Sequence, residues 1–133
     1  MQIDHIGVVV KDTDETVKVF ANLFGFGIEE IQVVPDQGFK STILIKDAVR
    51  IELIEPMGDS GIIQKFIGKR GYGLHHISLR VGDIEKELGG LSEKGARLIN
   101  GKPVPITDAS AISFLHPASA AGILIELIHR KTE

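Results

Sequence analysis

His5-Ile6-Gly7-Val8-Val9-Val10-Lys11-Asp12 recurs further along the chain as His76-Ile77-Ser78-Leu79-Arg80-Val81-Gly82-Asp83, four identities in eight positions at an offset of 71 residues. A second echo follows in nearly the same register: Ile51-Glu52-Leu53-Ile54 returns letter for letter as Ile125-Glu126-Leu127-Ile128, at an offset of 74. Together they point to a duplicated module. Outward from the first copy, the β-branched run from Ile3 to Val10 reads as a strand. Asp12 then stands as an N-cap with Glu15 in the capping-box position, and Val17, Phe20, Ala21 and Phe24 recur at the spacing of one buried helix face. Gly25 supplies a left-handed stop. In the second copy Asp83 takes the cap, Ile84, Leu88 and Leu91 form the stripe, Gly95 ends it, and Gly89-Gly90 weakens the helix. Strands are expected at about 27–34, 40–46 and 49–55, then at 97–99, 111–115 and 123–129. The fold class is therefore α+β, with two tandem βαβββ modules at about 1–58 and 72–133 inside one domain, 1–133. A linking helix is expected at about 60–69, its apolar side carrying Ile62, Ile63, Phe66 and Ile67.

Composition narrows the function. With 133 residues the chain has the length of one ordinary domain, and the absence of cysteine removes disulfides, thiolate metal sites and cysteine nucleophiles together. Apolar residues at 43% and charged residues at 25% suffice for a real core. Fifteen basic against 18 acidic residues give a formal charge of −3, which offers no footprint for nucleic acid or an anionic membrane and leaves a small-molecule partner as the default. The amino terminus has no basic region followed by an apolar one, and no stretch is long enough to span a bilayer; the expected location is cytoplasmic.

Two glutamates sit where a carboxylate is costly. Glu126 lies inside Gly122-Ile-Leu-Ile-Glu-Leu-Ile128, a run apolar on both faces, and Glu52 inside Val49-Arg-Ile-Glu-Leu-Ile54, with Arg50 two residues away on the same strand face as a conceivable partner. Burial of an unpaired carboxylate costs several kcal/mol, so each needs a proton, a cation or a metal. Two modules related by a pseudo-two-fold bring His5 to His76 and Glu52 to Glu126. Two neutral imidazoles and two carboxylates suit one divalent ion, leaving two octahedral positions for water or substrate oxygens. Other residues read as structural: His75 on the opposite strand face, His116 before Pro117, His129 near the carboxyl terminus, Asp36 in a turn, Lys65, Lys69 and Arg70 at a solvated helix end, and Gly71-Tyr72-Gly73 as a flexible turn.

The paired modules, with His-Ile-Gly, Ile-Glu-Leu-Ile-Glu-Pro, Leu-His-His-Ile and Ile-Leu-Ile-Glu-Leu, resemble the vicinal oxygen chelate (glyoxalase/bleomycin resistance/dioxygenase) superfamily over essentially the whole chain. In detail the chain is most similar to the methylmalonyl-CoA epimerases, through Pro35-Asp36-Gln37-Gly38, Glu55-Pro56, Gly73-Leu74-His75-His76-Ile77, Phe114-Leu115-His116-Pro117 and Gly122-Ile123-Leu124-Ile125-Glu126-Leu127. The resemblance implies a curved mixed sheet around a metal cleft. It implies His5, Glu52, His76 and Glu126 as ligands of a divalent ion (Co, Ni, Zn, Mn or Mg), an acyl-CoA thioester as substrate, and a homodimer. The activity it implies is interconversion of (2R)- and (2S)-methylmalonyl-CoA through a metal-stabilised enolate, with Glu126 as the leading base and Glu52 as its counterpart. Where some members carry an extra carboxylate after the Gln-Gly pair, this chain has Phe39-Lys40-Ser41, so a second acid/base group is unassigned. Two other readings use the same fold: a lactoylglutathione lyase with the same ligand types, and a drug-binding protein with a cavity and no ion.

Overall fold

Both expected N-caps operate. The Asp12 side chain accepts the backbone N–H of Glu15 at 3.0 Å and opens helix α1 (Thr13–Phe24), and Asp83 accepts that of Lys86 at 3.1 Å and opens α3 (Ile84–Glu93). The computed structural model describes residues 1–131. In chain order the remaining elements are β1 (Gln2–Val9), β2 (Gly27–Val34), β3 (Phe39–Lys46), β4 (Val49–Pro56), α2 (Ile62–Arg70), β5 (Gly73–Arg80), β6 (Val104–Thr107), β7 (Ser110–Leu115) and β8 (Ile125–Arg130). This is an α+β architecture in which βαβββ occurs twice with a helix between, as the repeat implied. Among the described residues no helix is long and apolar enough to cross a membrane.

The chain packs as two units, His5–His75 and Met1–Asp4 with the residues from His76 onward. In the first, the strands run β2-β3-β4-β1. β1 and β4 are parallel with Gly7 opposite Glu52, whereas β3 lies antiparallel to β4 with Ile43 opposite Glu52. One sheet face buries Val10, Leu44 and Leu53 under Val17 and Phe20 of α1; the other buries Val9 and Ile54 against Ile63 of α2. Because strand side chains alternate, this second face is the one that also carries Glu52, two residues from Ile54.

In the other unit the order is β5-β8-β7-β6. β5 and β8 are parallel with Ser78 opposite Glu126, and β7 is antiparallel to β8 with Phe114 opposite Glu126. Leu79 of β5, Val81 just after it, Leu115 of β7 and Ile125 and Leu127 of β8 pack under Ile84, Leu88 and Leu91 of α3. Asp4 is tied into this unit by Arg80 and Arg130, its Oδ1 lying 2.6 Å from Arg80 Nη2 and 3.0 Å from Arg130 Nε.

Three expectations are corrected. The strand placed at 97–99 is reduced to a single bridge, Leu98 with Leu115, and the strand forms instead at Val104–Thr107, which follows Pro103 and contains Pro105. It lies at the outer end of the strand order, where Pro105 needs no ladder partner for its missing N–H, and the tight turn to β7 is fastened by Thr107 Oγ1, which accepts Ala109 N–H at 3.1 Å. The expected buried face of α1 is narrower than its spacing suggested: Ala21 and Phe24 are exposed, and Phe20 packs edge-on both with Phe24 at 5.5 Å and with Phe26, which follows Gly25 (φ 76°), at 5.6 Å. Finally, Arg50, a conceivable partner of Glu52 on strand-face spacing, is held in a two-bond pair by Glu29, with Nε–Oε1 at 2.8 Å and Nη2–Oε2 at 3.1 Å.

Candidate functional site

In the unit His5–His75, β1 delivers His5 and its parallel neighbour β4 delivers Glu52. His5 is buried and the Glu52 side chain is 16% exposed. The residue of β1 opposite Glu52 is Gly7, which places no side chain between the carboxylate and the imidazole two residues away. His5 Nε2 stands 3.6 Å from Glu52 Oε1. The other oxygen, Oε2, accepts a hydrogen bond from the Ser41 hydroxyl of β3 at 2.6 Å.

The unit from His76 onward repeats the pair. β5 delivers His76 and its parallel neighbour β8 delivers Glu126, both buried. His76 Nε2 stands 3.9 Å from Glu126 Oε2, and Glu126 Oε1 accepts the Ser78 hydroxyl at 2.7 Å. Phe114 of β7 meets the His76 ring edge-on at 5.8 Å.

The chemistry of these donors fits a metal. Separations of 3.6 and 3.9 Å are too long for a nitrogen–oxygen hydrogen bond. They are in the range of two ligands that share one ion at about 2.1 Å each. A serine hydroxyl satisfies one carboxylate oxygen without offsetting the negative charge, so a glutamate as deep as Glu126 still requires positive charge or a proton.

The other flagged residues have roles of their own, and of these His75 feels the charge of Glu52. His75 is half-buried, edge-on to Phe66 of α2 at 4.7 Å; burial lowers its pKa below the ordinary 6.5, with the Glu52 charge opposing. His116 Nδ1 accepts the Ala118 N–H at 3.1 Å and caps the short turn Pro117–Ala120, and His129 Nδ1 lies 3.3 Å from the Val81 carbonyl. Asp36 is exposed in the turn Pro35–Gln37, and Lys65, Lys69 and Arg70 are exposed on α2. Ser41 and Ser78 were missed by reasoning from sequence. For Ser78 one signal was its place among the mismatches of the repeat, opposite Gly7; Ser41 had none.

Two βαβββ modules, each presenting a strand histidine and a strand glutamate on adjacent parallel strands, define a class of duplicated α+β proteins. The sequence matches the Glyoxalase/Bleomycin resistance protein/Dioxygenase superfamily over residues 4–114, and the chain belongs to that superfamily, as its motifs implied. An ethylmalonyl-CoA/methylmalonyl-CoA epimerase of Cereibacter sphaeroides is 30% identical over 128 residues, 95% of this chain and 96% of that protein. A methylmalonyl-CoA epimerase solved in complex with methylmalonyl-CoA and ammonium is similar with a TM-score of 0.89 and 32% identity, covering 97% of this chain and 94% of its own. A hypothetical protein from Bacillus halodurans C-125 is similar with a TM-score of 0.94 and 35% identity, covering 99% and 96%.

Proposed function

We propose that this protein is a metal-dependent epimerase that interconverts (2R)- and (2S)-methylmalonyl-CoA, with His5, Glu52, His76 and Glu126 as the ligands of one divalent ion. The observation that carries this reading is the repetition itself: each unit sets an imidazole Nε2 and a carboxylate oxygen 3.6 or 3.9 Å apart, at equivalent places in the repeat. Two neutral nitrogens and two carboxylates balance a divalent charge, and the borderline donor set accommodates Co, Ni, Zn, Mn or Mg. The acyl-CoA substrate is supported by the similar epimerases, one of which holds methylmalonyl-CoA.

Epimerisation requires removal of the proton beside the thioester carbonyl and its return to the opposite face. A divalent ion bound by these residues supplies Lewis-acid stabilisation of the negative charge that develops on the carbonyl oxygen. Glu126 is the leading base: Ser78 holds its Oε1 while its Oε2 faces His76, and a carboxylate within reach of the carbon-bound hydrogen accepts it. Glu52 is the counterpart that holds or returns a proton on the other face.

The test is solvent exchange. The chelator-stripped protein, reloaded with Co(II) and incubated with (2S)-methylmalonyl-CoA in D2O, should incorporate deuterium at the malonyl carbon while both epimers accumulate; Glu126→Gln, reloaded alike, should slow this by about 100-fold or more. Turnover of the methylglyoxal–glutathione adduct alone would overturn the reading in favour of a lyase. Ligand binding indifferent to added metal would overturn it in favour of a binding protein.

A further inference from the structure

We infer that Ser41 and Ser78 are positioning residues that make Glu52 and Glu126 one-oxygen ligands, each serine claiming one carboxylate oxygen so that only the other is offered to the ion. The inference rests on the four-ligand reading above and deepens it.

The two hydroxyls do the same work from non-equivalent places. Ser78 lies on β5, the parallel neighbour of β8, directly opposite Glu126. Its counterpart in the first unit, opposite Glu52 on the parallel neighbour β1, is Gly7, which has no hydroxyl. There the hydroxyl comes from the other flank: Ser41 lies on the antiparallel neighbour β3, opposite Ile54. Its counterpart in the second unit, opposite Ile128 on β7, is Ile112. The duplicated frame therefore carries a serine at neither position twice, yet each glutamate receives one.

Chemistry accounts for the need. Both serines are buried, so each Oγ must find a partner within the protein, and O–H···O distances of 2.6 and 2.7 Å are those of charge-assisted bonds to carboxylate. A carboxylate held at one oxygen cannot rotate to chelate an ion through both. In each unit the oxygen that the serine does not hold is the one beside the imidazole: Oε1 of Glu52 near His5 and Oε2 of Glu126 near His76. The serine thus sets which oxygen faces the nitrogen donor and holds the glutamate in place when that oxygen carries a proton.

Metal binding to the stripped protein provides a readout independent of turnover. Titration calorimetry with Co(II) should show affinity weakened by about 10-fold or more in Ser41→Ala and in Ser78→Ala, with each variant melting cooperatively without metal. The visible band of the Co(II)-loaded alanine variants should change as a second carboxylate oxygen joins the ion, and Ser41→Thr, which keeps the hydroxyl, should retain the wild-type band. Ser78→Gly, which copies Gly7 of the first repeat, takes the place of Ser78→Ala should that variant not fold. Alanine variants with wild-type affinity and an unchanged band would overturn the inference alone. A wild-type protein that binds no divalent ion would overturn the four-ligand reading, and this inference with it.

Discussion

Asp4→Asn tests the charge cluster that the sequence hid most completely. The Asp4 side chain is 0% exposed. Its guanidinium contacts include Arg80 Nε at 2.8 Å and Nη2 at 2.6 Å on Oδ1, Arg130 Nε at 3.0 Å on Oδ1, and Arg130 Nη2 at 3.0 Å on Oδ2. Asparagine preserves the shape and one acceptor, which can keep the three contacts at Oδ1. At Oδ2 it puts an amide donor against the Arg130 donor, and it removes the charge that drew both arginines in. Removal of one partner from a buried ion pair costs about 3–5 kcal/mol. Since the arginine side chains are 36% and 27% exposed, water recovers part of their solvation and the lower end, about 3 kcal/mol, applies. For a urea slope of about 1–3 kcal/mol/M the unfolding midpoint should fall by about 1–3 M at unchanged slope. An unmoved or higher midpoint would refute the claim that Asp4 holds Arg80 and Arg130 at a net gain.

His75 should make stability fall as the solution is acidified. Burial holds its folded-state pKa below 6.5, so the unfolded chain takes up the proton first and stability drops as pH falls from about 6.5 through the folded value. In urea titrations at several pH values, His75→Gln should flatten that part of the profile; an unaltered slope counts against the burial argument. Leu53→Ala empties a fully buried position between Val10 and Leu44 and should cost about 3–5 kcal/mol in the same assay. A loss below about 1 kcal/mol would mean that α1 collapses into the space.

What was legible in the sequence was local. Asp12 and Asp83 are recognisable caps because the donor they satisfy lies three residues away, and β1, β3, β4 and β8 declare themselves through apolar runs that two packed faces require. The third strand of the second module was not legible, since a stretch with prolines at 103 and 105 reads as loop unless its place at the outer end of the strand order is known. Nor was the partner of Arg50. The irregularity in β2 between Ile28 and Glu30 takes Glu29 out of the regular ladder, and Glu29 is the residue that pairs with Arg50, so counting along β4 alone led to Glu52.

The histidines and glutamates were legible for a different reason. A donor atom and a compensating charge are specified by residue type, and duplication repeats the type at a fixed offset, so His5 with His76 and Glu52 with Glu126 stand out before any coordinates exist. An orienting hydroxyl is less constrained, because a carboxylate on a central strand can receive it from either flank. Glu52 receives it from β3 and Glu126 from β5, and no periodicity connects Ser41 to Ser78. Symmetry in this chain is therefore kept where the ion would sense it, in the nitrogens and carboxylates. It is relaxed one bond further out, where only the direction of a hydrogen bond matters. On the four-ligand reading proposed above, the Gly7/Ser78 mismatch has a use: Ser41 already holds Glu52 Oε2, and a hydroxyl at position 7 would compete for Oε1, the oxygen beside His5.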